Sequence, residues 1–156
     1  MPITRTLADR LGILARLLRL PVPPPRPPRW LGVHDGRLAE CRSPRNCVSS
    51  HGDPARGGMP PFPGTAGREV TLERVARVIA SEPGARVVER TGDYLRAEFT
   101  SPLWRFVDDV EVLWDDAAGV AHFRSASRIG RADLGANRAR MTRLSRRFAA
   151  DEAHGG

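Results

Sequence analysis

Between Ala85 and Ser127 apolar and polar residues alternate with a period of two, broken by short polar connections. In DYLRAEFT, Leu95, Ala97 and Phe99 share one side of an extended chain, and Tyr94, Arg96 and Glu98 share the other. ARVVERT before it, and RFVDDVEVLW and VAHFRSAS after it, are read as strands too, with Gly92-Asp93, SPLW and DDAAG as the connections. On either side the period becomes helical. TLERVARVIASEPG places Leu72, Val75 and Ile79 on one stripe, with Thr71 as N-cap and Pro83-Gly84 as the stop. DLGANRARMTRLSRRFAA does the same with Leu134, Asn137, Met141, Leu144 and Phe148, and Asp133 is its N-cap. The expected fold is α+β in the order α-β-β-β-β-α, an antiparallel sheet of four strands or slightly more with both helices on one face.

Burying Val110, Val112 and Trp114 against Ala121 and Phe123 sets even positions of the third strand opposite odd positions of the fourth. A turn over Asp115 to Ala118, with Gly119 left-handed, closes that hairpin, and Asp109 is expected to face Arg124 and Glu111 to face His122. Arg96, Glu98, Asp109, Glu111, His122 and Arg124 then lie on an open face. Phe123, Ser125 and Ser127 lie beneath the last helix, where the amide of Asn137 needs Ser125, Ser127 or nearby backbone as partner; with Asp133 these form a structural polar cluster.

Ahead of this domain, TRTLADRLGILARLLRL aligns Leu7, Leu11, Leu14 and Leu18, so residues 1–20 read as an amphipathic helical tail. Its longest apolar run, Leu11 to Ala15, is too short for a signal peptide core or a bilayer span. Residues 21–30 contain PVPPPRPP, a stiff polyproline spacer, and residues 31–152 form the domain. From Trp30 to Gly67 no period is sustained, and the chain reads as ordered loop with room for a short strand.

Charge changes this picture only at the ends. The net charge is +7, all 25 basic residues being Arg, as a GC-rich genome would produce. Residues 1–40 carry seven Arg against three acids, whereas residues 101–125 carry two against five. The expected partners are an anionic membrane surface through residues 4–20 and a small anionic ligand. Basic ends without interleaved aromatics speak against nucleic acid.

CRSPRNCVSS, FTSPLWRFVDDVEVLW and HFRSASRIGRADLGANRAR together resemble the family catalogued as domain of unknown function 1499, over roughly Leu31 to Phe148. The resemblance implies no particular activity. It does imply a hydrophobic leader or anchor ahead of the domain, and so an exported location. The Arg-interrupted tail departs from that pattern and reads as cytoplasmic or peripheral to the inner face of the membrane.

Candidate chemistry remains. Cys41 and Cys47 have five residues between them, against two to four between paired zinc ligands, so no metal is expected. They read first as a structural turn, with a disulfide across Ser43-Pro44 as the second reading in an oxidising compartment. Ser50-His51 lacks a nucleophile elbow. Arg96, Arg124, Arg128 and Arg131 are the candidate ligand-binding residues, converging near the last helix's N-terminus. The competing reading is internal: Asp109 and Glu111 neutralise these arginines as a cross-strand ladder. An enzyme would use Asp109, Glu111 or His122 as acid or base on a small polar substrate. A non-enzymatic binding or accessory module is the leading reading, with no cofactor.

Overall fold

A computed structural model describes residues 26–54, 58–102 and 105–154. The tail helix read over residues 4–20 lies outside the described residues. The elements in chain order are β1 (Val33–His34), β2 (Arg37–Leu38), β3 (Cys47–Ser49), β4 (Phe62–Pro63) and α1 (Arg68–Ala80). They continue as β5 (Ala85–Arg90), β6 (Tyr94–Thr100), β7 (Val107–Asp115), β8 (Val120–Ser127) and α2 (Ala136–His154). The structure is α+β, with α1 and α2 as its two described helices.

The four strands read from the period-two pattern form a meander, β5 to β8, and the sheet order is β3-β8-β7-β6-β5. Every pairing is antiparallel. Two short strands add to the prediction: β3 pairs with the later half of β8 and β4 with its beginning, making six. Both come from the stretch without periodicity, where two or three residues are too few to show alternation.

One face of the sheet carries the core. Leu95, Ala97, Phe99, Val110, Val112, Trp114, Ala121 and Phe123 are buried with Leu72, Val75 and Ile79 of α1 and Met141, Leu144 and Phe148 of α2. Each fully buried Val, Leu, Ile, Met or Phe among these contributes about 1.5–3 kcal/mol relative to exposure. Gly119, at φ 63°, closes the β7–β8 turn with its N–H on the Asp115 carbonyl at 2.8 Å.

Four expectations are corrected. First, α1 begins at Arg68 after Gly67, whose φ of 82° supplies the entry, so Thr71 is a buried helical residue and not the N-cap. Second, Leu134 is fully exposed at φ 54°, because α2 begins at Ala136 and Leu134 belongs to the turn before it. Third, the β7–β8 hairpin pairs Asp115 with Val120, which places Glu111 opposite Arg124, Leu113 opposite His122 and Asp109 opposite Ala126. The parity is as expected, but the charged pairs are offset by two residues, because a slip of two leaves every side chain on its own face.

Fourth, the face expected to be open is covered. The segment from Pro28 to Leu38 crosses it: the Trp30 ring lies 4.0 Å from the Arg124 guanidinium carbon, and the Gly32 N–H donates to Glu111 Oε1 at 2.6 Å. Leu38 packs with Tyr94 and Leu113 in a second small core. A charged face reads as solvated in sequence, yet it can be buried where each charge has an opposite partner. Among the described residues no helix is long and apolar enough to cross a membrane.

Candidate functional site

Alternation brings the predicted acids and arginines together on the covered face. Asp109 and Glu111 are fully buried, two residues apart and so on the same side of β7. Arg128 grips Asp109 with both ends of its fork, Nε to Oδ2 and Nη2 to Oδ1, each at 2.7 Å, and Nη2 also donates to Glu98 at 2.5 Å. Arg96 reaches Asp109 at 3.3 Å, Glu98 at 3.4 Å and Glu89 at 3.3 Å. Arg124 donates to Glu111 Oε2 at 3.2 Å, while Oε1 accepts the Tyr94 hydroxyl at 2.9 Å.

This is a buried ladder of matched charges. Burial pulls Arg128 down, but its bonds to Asp109 and Glu98 outweigh that and leave its pKa raised. Burial also opposes ionisation of Glu98, yet Arg128 and Arg86 bring its pKa below the usual value. For Tyr94, burial and then the charge of Glu111 hold the phenol far above its ordinary range. Arg131 is exposed on the loop ahead of α2.

The polar cluster assembles around Asn137. Its Oδ1 accepts from Ser125 at 2.5 Å and Arg140 at 2.7 Å, and its Nδ2 donates to Ser127, Asp133 and the Asn46 carbonyl. Asp133 accepts the backbone N–H groups of Gly135 and Asn137, capping α2 one turn early. Cys41 and Cys47 are joined in a disulfide with Cα atoms 5.6 Å apart. The loop they close presents Arg45 and Asn46 carbonyls to Asp133 and Ser127 N–H groups, tying β3 to the start of α2.

Where the covering segment leaves the sheet, a pocket of about 350 Å³ opens between β2, the residues after β3, and the β7–β8 turn. Gly36, Arg37, Ser50, His51, Leu113, Asp115 and His122 line it. The rings of His51 and His122 stack with centroids 3.9 Å apart and planes 22° apart. A hydrogen bond assigns the His51 tautomer. Arg37 is only a donor, and its Nη2 lies 3.3 Å from His51 Nδ1, so that nitrogen accepts and the ring proton sits on Nε2. His51 Nε2 is buried and has no partner.

Ser50 Oγ accepts the Phe123 N–H at 2.8 Å, donates to the Phe123 carbonyl at 3.3 Å and lies 3.0 Å from His122 Nδ1, while His122 Nε2 lies 3.7 Å from Asp115 Oδ2. Burial, then the neighbouring His122 and Arg37, lower the His51 pKa to about 4, with Asp115 in partial opposition. Burial lowers His122 in the same direction. Asp115 stays acidic because the Ala118 and Ala117 N–H groups donate to it.

Of the predicted site residues only His122 lines this pocket. Ser50 and His51 stood side by side in the sequence, but their meeting with Arg37 and His122 depends on β3 and on the covering segment, which carry no periodic signal. Among the described residues no three His, Cys, Asp or Glu side chains converge as metal ligands. Residues 37–148 match the family described as "Protein of unknown function (DUF1499)". No curated protein matches the chain, and no solved structure does.

Proposed function

The chain belongs to the DUF1499 family, and we propose that it is a non-enzymatic binding module whose small polar or anionic ligand occupies the pocket of Arg37, Ser50, His51, Asp115 and His122. The carrying observation is the paired imidazole stack beside Arg37, where a guanidinium N–H facing the pocket is spent on His51 Nδ1. A guanidinium N–H bonds an anionic oxygen more strongly than a neutral acceptor, so an acceptor supplied by a ligand is favoured there. The arginines first proposed for that role, Arg96, Arg124 and Arg128, already have carboxylate partners. A ligand on that face has to displace Asp109, Glu98 or Glu111.

The amphipathic segment over residues 4–20 adds a membrane-peripheral role: on an anionic surface it holds the module beside lipid headgroups and the solutes near them. A second reading has one specific support. His122 is bonded to Ser50 and faces Asp115, the arrangement of a general base with its orienting groups. Against it, Ser50 Oγ is engaged on the backbone at Phe123, which suits a positioning hydroxyl and not a nucleophile.

A thermal-shift screen of small anions, polar metabolites and soluble headgroups tests the binding reading. Hits should stabilise the parent and lose that effect in Arg37→Gln and in His51→Phe, each folded by circular dichroism. Hits that stabilise both variants as they do the parent, or a screen with none, contradict it. Turnover of an ester or phosphate ester, abolished by His122→Gln, would favour the enzyme reading.

A further inference from the structure

Resting on the binding reading above, we propose that this pocket takes a small oxyanion, carboxylate, phosphate or sulfate in kind, together with one proton that enters at His51 Nδ1. Arg37 Nη2 and His51 Nδ1 stand 3.3 Å apart, close to the spacing at which two donors grip two oxygens of one oxyanion. With His51 neutral, only one of the two is a donor. His51 Nδ1 uses its lone pair to accept from Arg37, so the contact consumes a guanidinium N–H that faces the pocket. A proton from solvent on Nδ1 ends that contact and turns both groups outward as donors to a shared acceptor. The only new covalent bond is N–H on the ring; the anion is held by hydrogen bonds and charge.

The surroundings explain why proton and anion arrive together. The charged and titratable groups lining the pocket around His51 are Arg37 from β2, His122 from β8 and Asp115 at the end of β7; Ser50 adds a hydroxyl, and Gly36 and Leu113 add no charge. A lone proton on His51 would place a cation against Arg37 and against the His122 ring 3.9 Å away. Asp115 offsets little of this, since its Oδ1 already accepts from Ala117 and Ala118. The low pKa of His51, about 4, follows from the same arrangement. An oxyanion between Arg37 and His51 reverses the balance and draws the proton in.

The test is a pH titration of the imidazole nitrogens of the full-length protein by long-range 1H–15N spectra, with His51→Gln and His122→Gln used for assignment. It is run in sodium sulfate and in sodium chloride at equal ionic strength; sulfate keeps its charge from pH 4 to 8. The expected result is a His51 midpoint moved upward by sulfate, a shift lost in Arg37→Gln, and sulfate affinity weakening with pH by up to about tenfold per unit, as uptake of one proton requires. Ring resonances perturbed by sulfate with unmoved midpoints would overturn the proton coupling and leave the binding reading standing. Rings indifferent to sulfate, inorganic phosphate, acetate and anionic vesicles overturn both. The same titration with vesicles of phosphatidylcholine, with and without phosphatidylglycerol, separates the sources: a midpoint moved only by the anionic vesicles assigns the oxyanion to a headgroup, and one moved by sulfate alone assigns it to a free solute.

Discussion

Asn137 shows what a single residue does in this fold. It is 1% exposed on the core face of α2, yet it joins Ser125, Ser127, Asp133, Arg140 and the Asn46 carbonyl in one network. Asn137→Leu keeps the branched shape and strands those partners, so urea denaturation should show a loss of about 1–3 kcal/mol; an unchanged midpoint would contradict the network. This residue was legible because a polar amide on an otherwise apolar stripe demands a partner, and the strand beneath offered serines. The charged ladder was legible as a face but not as pairs, since alternation fixes only the side on which Glu111 and Arg124 lie. The histidines carry a pH signature. His51 binds its proton near pH 4 in the folded chain and near 6.5 when unfolded, and His122 is lowered in the same direction. The unfolded state therefore holds more protons in that window, and stability should fall as pH is lowered from 6.5 toward 4. In His51→Phe that part of the slope should vanish; an identical slope would contradict the assignment.

At the scale of elements, the regular strands and helices were readable because repetition over six or more residues exposes a period, whereas β1 to β4 are two or three residues long. Those short pieces nevertheless build the pocket and close the second face. The loop from Cys41 to Cys47 holds β3 against β8 and against the cap of α2, and its disulfide spans a sequence separation of 6. Closing so short a loop restricts the unfolded chain by roughly 2 kcal/mol. Cys41→Ser with Cys47→Ser should lower stability by about that amount and raise amide exchange in β3 and at the start of α2, leaving β5 and β6 protected. Uniform loss of protection across the sheet would show that the loop is not a local clamp. The segment Pro28 to Leu38 was read partly as spacer, because it continues the Pro-rich run and shows no period; Trp30, the Gly32 N–H and Leu38 hold it on the sheet.

For the whole molecule, one face of the sheet is sealed by two helices and the other by charge pairs and a crossing segment, and the pocket of Arg37 and His51 opens where that segment ends. The tail lies ahead of the segment across the Pro-rich stretch, and its role is proposed to be separate from folding. Deleting residues 1–25 while keeping Trp30 should abolish binding to anionic vesicles and leave the cooperative melt intact; equal vesicle binding by the shortened chain would contradict the tail's role. The pocket itself is tested most directly by location. Crystals soaked in selenate, an oxyanion with a strong anomalous signal, should show a peak within hydrogen-bond distance of Arg37 and His51, absent in crystals of Arg37→Gln. A peak confined to the Arg96, Arg124 and Arg128 face, or no peak in the pocket at all, would contradict the assignment of the binding site.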